Sequence, residues 1–525
     1  METRSAKRKR LLIEEMESGR DDQSACDRIS DLPDAVLHQI LFLLPIKCIA
    51  QTSVLSKRWR HIWSTFPDLD FTSTNLIDTS SSSSSMKNSH SHIHPNTCKR
   101  FHSHCVLGTD YITQVLALRS KQSHLRTLRF RGRLSFSRLN GLIRCAVRHN
   151  VQELDIDVAT DDYFNFPRSI ISCDSLRILK LRSRYPGFRL PPSSVLKGGF
   201  RSLHTLSLSL VILYHQSSLL DFFSDSSFPH LSKLSLEACS GLRHLNIHCK
   251  ALKELVLEKC YQLICLEIFC KKLERLRVAG CFDAYSNKSS VKINAPYLWK
   301  IHWQYNSITD NSSIDTLTCL QEAFIGFFVI HEVVNKEKLW SVSNLLCAVS
   351  HAHSLVLENQ CIEILSKNCN VSGVLQNPLN NLKSLEFHTG FNKSSIPGIA
   401  CLFRNSPSLH TLTIKILNDY KTERRQWTRD LWDLSSSMEE RYWESQIQLL
   451  KSFLHHLKVV KIHGFSECEN EVSLAKFLLR HGKVLQEMTL CSGHCNSRDS
   501  LRREKVKSQM MGFSRASSNA KITYH

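Results

Sequence analysis

The chain has 525 residues, a formal net charge of +20 and a hydrophobic content of 42%. At about 150 residues per domain, this length predicts roughly three folded units. The 17 glycines and 13 prolines are too few for a collagen-like or Pro/Gly-rich disordered chain. We find neither a signal-peptide pattern nor an apolar run of the ~18 residues that a membrane span needs. We therefore expect a soluble intracellular protein whose 20 cysteines stay mostly reduced.

The first 26 residues are polar and include the basic run Lys7-Arg8-Lys9-Arg10. Such a composition predicts a disordered tail. A short basic run can also serve as a nuclear address, and the two interpretations are compatible. We expect a location in the nucleus, the cytoplasm or both.

Residues 27–71 have the pattern of three short helices. Apolar residues recur at helical spacing from Leu32 to Leu44, and Pro33 suits the first turn of that helix. Pro45 ends it and can begin a second helix, while Ser56 is typical of the N-cap of a third helix that contains Trp59. So small a unit buries little surface and needs a partner. That partner is either another protein or the rest of this chain, and periodicity alone does not decide.

The same segment resembles the F-box in its plant form. The match covers the opening Asp27-Arg28-Ile29-Ser30-Asp31-Leu32-Pro33-Asp34, the run Ile40-Leu41-Phe42-Leu43-Leu44-Pro45, and Ser53-Val54-Leu55-Ser56-Lys57-Arg58-Trp59. The resemblance implies docking onto a Skp-type adaptor, which in turn binds a cullin and a RING subunit. It also implies a set of contact or supporting residues: Leu32, Pro33, Ile40, Leu41, Leu44, Pro45, Val54, Leu55 and Trp59.

Residues 72–105 are rich in serine and histidine. Six serines, Ser80 to Ser85, precede a group of metal-ligand side chains: His90, His92, His94, Cys98, His102, His104 and Cys105. Imidazole and thiolate are zinc ligands, but the irregular spacing and low-complexity flanks favour a disordered linker.

Residues 106–376 contain a repeated pattern L-x-x-L-x-L in which other apolar residues can replace leucine. It begins at Leu125, Val151, Leu176, Leu203, Leu231, Leu242, Leu252, Leu263, Leu273 and Leu298. The spacings are 26, 25, 27 and 28 residues, then 11, 10, 11 and 10, then 25. The long spacings fit the 20–29 residues of a leucine-rich repeat, with one strand per turn of a solenoid.

Five cysteines account for the short spacings. Cys239, Cys260 and Cys281 are 21 residues apart, and so are Cys249 and Cys270. The first three occupy the Asn/Cys position of the leucine-rich pattern. This regularity predicts a 21-residue turn with two strands, one on each face, and two stacked cysteine ladders. A zinc site on Cys260, Cys265 and Cys270 is the alternative, but it explains fewer of the five cysteines.

Each such strand buries its apolar positions and exposes those between them. We expect four charged residues to face outward and take part in binding: Arg129, Asp155, Lys180 and Arg277. A curved array of repeats provides an extended surface for another macromolecule, so the pattern predicts a protein-binding scaffold.

Residues 377–492 alternate strand and helix patterns, which predicts a continuation of the parallel sheet and closure of its end. We predict strands at 382–387, 409–414, 457–462 and 484–490, and helices at 396–406, 443–456 and 472–481. The segments Trp443-Glu444, 457–465 and 471–490 resemble the FBD domain of plant F-box proteins. Residues 493–525 form a basic tail that we predict to be disordered. The fold class is thus α/β: a three-helix F-box, a leucine-rich-repeat solenoid with a parallel sheet, and an αβ FBD end.

Catalytic motifs are missing from the sequence. It has no G-x-G pair, phosphate-binding loop or nucleophile elbow. His331-Glu332-Val333-Val334-Asn335 lacks the second histidine of a zinc protease motif, and Cys491, His494 and Cys495 have no matching second pair. We predict a non-enzyme without a cofactor.

The favoured function is that of a substrate-recognition adaptor in a Skp–cullin–F-box ubiquitin ligase, with an unknown protein substrate and no membrane partner. A second hypothesis is an F-box interaction protein that acts outside degradation. A third, less favoured, is nucleic-acid binding, which the charge suggests but no recognition motif supports.

Overall fold

A computed structural model describes residues 29, 31–72, 112–120, 122–184, 186–213, 218–284, 288–328, 334–368, 375, 377–417, 438–465, 469–492, 508 and 510–525. The N-terminal tail, most of the serine/histidine segment, His331 to Val333, and His494 with Cys495 lie outside these residues. The predictions made for them remain predictions.

The α-helices lie at both ends of the chain and between some of its strands. They are α1 (Asp34–Leu41), α2 (Ile46–Thr52), α3 (Lys57–Thr65), α4 (Phe136–Arg148), α5 (Ser193–Leu196), α6 (Lys336–Ala348), α7 (Asn359–Lys367), α8 (Ile396–Arg404), α9 (Met438–Ser445), α10 (Lys451–His456) and α11 (Glu469–His481). Short 3-10 helices occur at Arg168–Ile170 and Lys393–Ser395.

The strands begin directly after the helical segment and continue to the C-terminus. They are β1 (Asp68–Asp70), β2 (Thr127–Arg133), β3 (Glu153–Ala159), β4 (Phe164–Asn165), β5 (Ile178–Ser183), β6 (Phe188–Arg189), β7 (Thr205–Ser209), β8 (Val211–Ile212), β9 (Ser218–Ser224), β10 (Lys233–Glu237), β11 (His244–His248), β12 (Glu254–Glu258), β13 (Cys265–Phe269), β14 (Arg275–Ala279), β15 (Ser290–Asn294), β16 (Lys300–Asn306), β17 (Asn311–Ile314), β18 (Glu322–Phe327), β19 (Ser354–Leu357), β20 (Ser384–Thr389), β21 (Thr411–Ile416), β22 (Val459–Phe465), β23 (Glu487–Ser492) and β24 (Lys521–Tyr524).

One 16-stranded parallel sheet runs the length of the molecule, in the order β1-β2-β3-β5-β7-β10-β12-β14-β16-β18-β19-β20-β21-β22-β23-β24. Its strands follow the alternation of the repeats: in β12, Leu255 and Leu257 are buried while Glu254 and Glu258 are partly exposed. Every strand therefore directs one face to a shared core and the other outward. We name the outward-directed face of the 16-stranded sheet the outer strand face.

A second parallel sheet, ordered β17-β15-β13-β11-β9, lies on the other side of the solenoid. In this region β10, β12 and β14 follow one another at 21-residue intervals, and β11 and β13 alternate with them along the chain. This confirms the prediction of two strands in each turn. A third sheet of three short strands, β4-β6-β8, belongs to the first repeats and was not predicted.

The two cysteine ladders are present as predicted. Cys239, Cys260 and Cys281 are buried next to the 16-stranded sheet, and Cys249 and Cys270 are buried next to the second sheet. Burial raises the pKa of the Cys270 thiol to about 11, and it raises that of Cys281 as well. Because Cys260 and Cys270 lie beside different sheets, they belong to separate ladders. The described residues contain no cluster suited to a metal ion.

The C-terminal segment extends the same sheet, as predicted, through the parallel pairs β20–β21, β21–β22 and β22–β23. Two details differ from the sequence prediction. The single helix expected at 443–456 is two helices, α9 and α10. The expectation of a disordered tail over 493–525 is wrong at its end, because β24 pairs with β23 and buries Ile522. The last strand of the sheet is therefore β24.

Candidate functional sites

The three N-terminal helices form a small bundle around buried side chains. Leu37, Leu41, Trp59 and Ile62 are buried. The Ser56 hydroxyl accepts a hydrogen bond from the Trp59 amide at 3.3 Å, so Ser56 is the N-cap of α3 as predicted.

A polar clamp fixes the first helix against the third. The Arg58 guanidinium donates to the Asp34 carboxylate at 2.7 and 3.0 Å and also to the Leu32 carbonyl. The bundle is thus held together from inside and across its edge.

The bundle presents an exposed apolar face. Leu43, Val54 and Leu55 are 85%, 81% and 68% exposed, and Val36, Ile40 and Leu44 are also exposed. Exposed apolar groups concentrated on one small bundle are typical of interaction sites. We name this set, together with Pro33 and Pro45, the bundle face.

The nine residues carried over from the F-box pattern divide by burial. Pro33, Ile40, Leu44, Pro45, Val54 and Leu55 are exposed, whereas Leu41 and Trp59 are buried and Leu32 is partly buried. The first group can contact a partner, and the second supports the face from below. Sequence reasoning missed Leu43, which is the most exposed residue of the face, because it lies off the apolar stripe of the first helix.

The bundle is joined to the solenoid by hydrogen bonds. Strand β1 pairs in parallel with β2, and Leu69 is fully buried. The buried Arg119 side chain donates to the Phe66 carbonyl at 2.6 Å and to the His124 carbonyl at 3.2 Å. Burial lowers the pKa of the Arg119 guanidinium to about 10. These contacts fix the orientation of the bundle face relative to the repeats.

The four predicted binding residues lie in one register row of the outer strand face. Arg129 pairs with Asp155 and Asp155 with Lys180 in the β2-β3-β5 ladder. Arg277, in β14, lies in the same row four strands further on, about 19 Å away at ~4.8 Å per strand. The structure thus brings three of them together and leaves the fourth apart.

Ion pairs between adjacent strands cover this row and its neighbours. Arg129 is 3.1 Å from Glu153, Lys180 is 3.6 Å from Asp155, and Arg277 contacts Glu258. Hydrogen bonding by Arg275 at 2.9 Å, together with Lys233 at 3.3 Å, lowers the pKa of the Glu254 carboxyl below its usual value. The predicted residues are therefore partly neutralised by neighbours rather than free for a ligand.

Beyond Arg277 the outer strand face becomes aromatic. The rings of His302 and Phe324 stack with centroids 5.6 Å apart, and His388 meets Phe324 edge-on at 6.4 Å. These residues occupy strands β16, β18 and β20. The sequence analysis missed this cluster because its members are 22 or more positions apart in the chain.

Comparisons with known proteins identify the parts of the chain. The F-box domain family matches residues 29–70, and the FBD family matches residues 447–490. The repeats of the FBD-associated F-box protein At5g56370 match residues 139–299. The chain is 48% identical over 531 residues to the putative F-box/FBD/LRR-repeat protein At4g03220 of Arabidopsis thaliana, covering all of both chains.

The chain belongs to the F-box/FBD/LRR-repeat family. A second Arabidopsis thaliana relative, the putative F-box/LRR-repeat protein At5g02930, is 26% identical over 90% of this chain and 88% of its own length. Another, F-box/LRR-repeat protein 25, is 31% identical over 42% of this chain and 71% of its own length. Membership of this family implies a substrate-adaptor role in F-box ubiquitin ligase complexes, and the family is generally non-enzymatic. F-box domains generally bind Skp1-type adaptors.

No helix in the described part of the chain has both the length and the hydropathy needed to cross a membrane.

Proposed function

We propose that this chain is the non-catalytic substrate-recognition subunit of a Skp–cullin–F-box ubiquitin ligase. The bundle face would hold a Skp-type adaptor and, through it, the cullin and RING subunits. The outer strand face would hold an unknown protein substrate. The chain would then act by raising the effective concentration of a substrate lysine near the ubiquitin carrier.

The observation that carries this proposal is the exposure of the bundle face on a bundle whose other apolar side chains are buried. Leu43, Val54 and Leu55 are mostly solvent-exposed, although the remainder of the chain provides a large core into which they could have packed. The alternative left open by the sequence, in which the apolar stripe packs on the chain itself, applies to its buried members Leu37 and Leu41 and in part to Leu32.

Substitution of exposed leucine and valine tests the adaptor contact. The double variant Val54→Asp, Leu55→Asp places charges on the bundle face without touching its buried core. We expect at least a 100-fold loss of affinity for a purified Skp-type adaptor, because a charge buried in an apolar interface has no partner. Isothermal titration calorimetry measures this loss.

A matched control is Leu118→Asp, which charges a similarly exposed leucine outside the bundle face; Leu118 is 71% exposed. The control should bind the adaptor as the wild type does. Equal binding by the double variant, with an unchanged circular dichroism spectrum, would contradict the proposed adaptor contact.

Ligase activity is a separate question from adaptor binding. In a complex reconstituted with adaptor, cullin and RING subunits, a partner captured on the repeat surface should receive ubiquitin. Capture without ubiquitin transfer would favour an F-box interaction protein that acts outside degradation. Adaptor binding would be normal in both cases, so the two outcomes are distinguishable.

One observation favours nucleic-acid binding as a second candidate function. His353, Lys383, His410 and Lys458 lie at the entry of four consecutive strands, β19 to β22, and successive residues are linked by backbone hydrogen bonds of 2.9–3.0 Å. Burial and the charges of Lys383 and Lys458 lower the pKa of His410. Lys383 and Lys458, two strands apart, are the positive charges of this row, and lysines can contact phosphates. Binding of duplex DNA at low salt that Lys383→Glu with Lys458→Glu abolishes would support this function, and no binding at low salt would end it.

A further inference from the structure

We propose that a pocket at the carboxyl ends of strands β12, β14, β16 and β18 binds an uncharged aromatic or branched aliphatic side chain of a protein substrate. The pocket has a volume of about 470 Å³, within the roughly 300–1,000 Å³ typical of ligand pockets. The assignment of the occupant to a substrate rests on the proposed function. The preference of the pocket for an uncharged side chain is independent of that function.

Three exposed aromatic side chains rim the pocket. Tyr261, Tyr305 and Phe328 each expose more than half of their surface, between 52% and 60%. Tyr305 lies near the end of β16, while Tyr261 and Phe328 follow β12 and β18, so the three converge only in the folded solenoid. Aromatic side chains gathered around a pocket are the usual centre of a binding hot spot.

The wall of the pocket is pre-formed by a buried asparagine. The Asn306 carboxamide oxygen accepts from the Cys281 and Phe282 amides at 2.8 and 3.4 Å, and its nitrogen donates to the Val278 carbonyl at 2.9 Å. These bonds fix the turn after β14, which contributes Phe282 to the lining. A ligand would therefore meet an ordered surface and lose little affinity to ordering it.

Gly280 gives Tyr261 its place on the rim. Gly280 has a φ of +60°, and a Cβ added there would lie 3.5 Å from the Tyr261 ring. The ring thus packs directly over the turn between β14 and the next segment. The left-handed backbone conformation favours glycine at this position.

The charged groups of the floor already have partners. Arg277 contacts Glu258. The Gln304 carboxamide oxygen accepts a hydrogen bond from the Arg277 guanidinium at 2.7 Å, in the amide orientation that satisfies both groups. Lys259 is 3.5 Å from Glu237. A charged ligand would lose its hydration without finding an unpaired counter-charge, whereas an uncharged apolar side chain would only displace water.

The pocket also continues the outer strand face. Arg277 and Gln304 belong to both, so a peptide lying across the outward rows would pass over the pocket. This continuity is the reason to assign the occupant to a protein chain rather than to a separate small molecule.

Saturation-transfer NMR on the full chain tests the pocket with defined probes. The probes are N-acetyl-tryptophan amide, N-acetyl-leucine amide and N-acetyl-lysine amide. We expect saturation of the first two and little of the third. Tyr305→Ala and Phe328→Ala should reduce the signal at least five-fold. Tyr297→Ala, at an equally exposed tyrosine outside the pocket, should leave it unchanged.

Equal signals from all variants, or preference for the lysine amide, would overturn the proposal. Peptide display on the full chain then tests the source of the side chain. A selected peptide with one aromatic or aliphatic anchor should bind at least tenfold more tightly than the free amide and lose that gain in Phe328→Ala. Equal affinity of amide and peptide would indicate a small-molecule site and overturn the assignment to a substrate. Neither assay involves the adaptor, so a failure here is distinct from a failure of the bundle face.

Discussion

At the scale of single residues, the ladder beside the 16-stranded sheet continues from cysteine to asparagine. Asn306 follows Cys281 by 25 residues and takes the same Asn/Cys position as Cys239 and Cys260. It is fully buried, and its three hydrogen bonds replace the weaker thiol contacts of the other rungs. The residue therefore links repeat packing to the shape of the aromatic pocket.

Asn306→Ala should lower the free energy of unfolding by about 2–4 kcal/mol, since it leaves buried amides and a carbonyl without partners. Denaturant unfolding followed by circular dichroism measures this change. Asn306→Cys restores the residue type of the preceding rungs and should cost less than the alanine variant. An alanine variant as stable as the wild type would show that these hydrogen bonds contribute little.

Glu254 should make stability depend on pH in the acid range. Its hydrogen bond with Arg275 and the nearby Lys233 lower its pKa in the folded chain below the usual value of 4.5. A lowered carboxyl pKa adds stability above the unfolded pKa, and this contribution disappears as pH falls through the folded pKa. Because the carboxylate is partly exposed, the stabilisation is at most about 1 kcal/mol.

Glu254→Gln should therefore be less stable than the wild type by a constant amount between about pH 5.5 and pH 8. Below about pH 4 the difference should shrink. Urea titrations at a series of pH values measure this difference. The control is Glu363→Gln, because Glu363 lies in helix α7 and not in the strand ladder. A difference that persists unchanged at low pH would assign the loss to something other than the ion pair.

At the scale of elements, β24 protects the edge of the long sheet. Ile522 is buried, and the Ser517 hydroxyl donates to the Leu485 carbonyl at 2.7 Å, so the terminal segment is anchored before the strand begins. Without β24, β23 would present unpaired backbone groups, which favour association with other chains.

Ile522→Asp should detach this strand. We expect faster hydrogen exchange at the amides of Met488 to Leu490 and a rise in aggregation, measured by mass spectrometry and light scattering. Lys521→Asp, an exposed neighbour in the same strand, serves as control and should exchange as the wild type does. Unchanged exchange in Ile522→Asp would mean that β24 does not protect the edge.

The elements that the sequence predicted well have strong periodic signals. Leu255 and Leu257 alternate with partly exposed positions, and the 21-residue spacing of the cysteines predicted both ladders and the two-strand turns. By contrast, β24 has Ile522 as its one buried position, preceded by the buried Ala520, which is too little to separate a strand from a tail. The aromatic pocket escaped prediction because Tyr261, Tyr305 and Phe328 converge only through the stacking of repeats in the folded solenoid. Register between distant strands, unlike alternation within one, is set by tertiary packing.

At the scale of the whole molecule, the bundle and the solenoid share one sheet. Leu69 in β1 pairs with Leu128 in β2, and both are fully buried. Leu37, Leu41 and Ile62 are buried in the helices of the bundle, outside the β1–β2 pairing. Orientation and adaptor binding should therefore be separable.

Leu69→Asp should release the orientation and preserve adaptor binding. Spin labels are placed at the exposed Cys48 and Cys319. Double electron–electron resonance between them should give a narrow distance distribution for the wild type and a broad one for the variant. Lys47→Asp, on the bundle surface, should keep the narrow distribution. A narrow distribution in Leu69→Asp would show that β1 is not needed to fix the bundle.

Because the bundle and the pocket lie on one sheet, the number of repeats between them sets their distance. In its strand order, β14 is the eighth member counted from β1, so about seven intervals of ~4.8 Å, or roughly 34 Å, separate the helical end from the middle of the pocket. Removing residues 233–253, one full turn of the coil that contributes no side chain to the pocket lining, would move the captured side chain one strand spacing closer to the adaptor and rotate it by the twist between neighbouring strands. The number of strands between the bundle and the pocket would then decide which lysines of a bound substrate come within range of the ubiquitin carrier. No contact at the lysine itself would be needed.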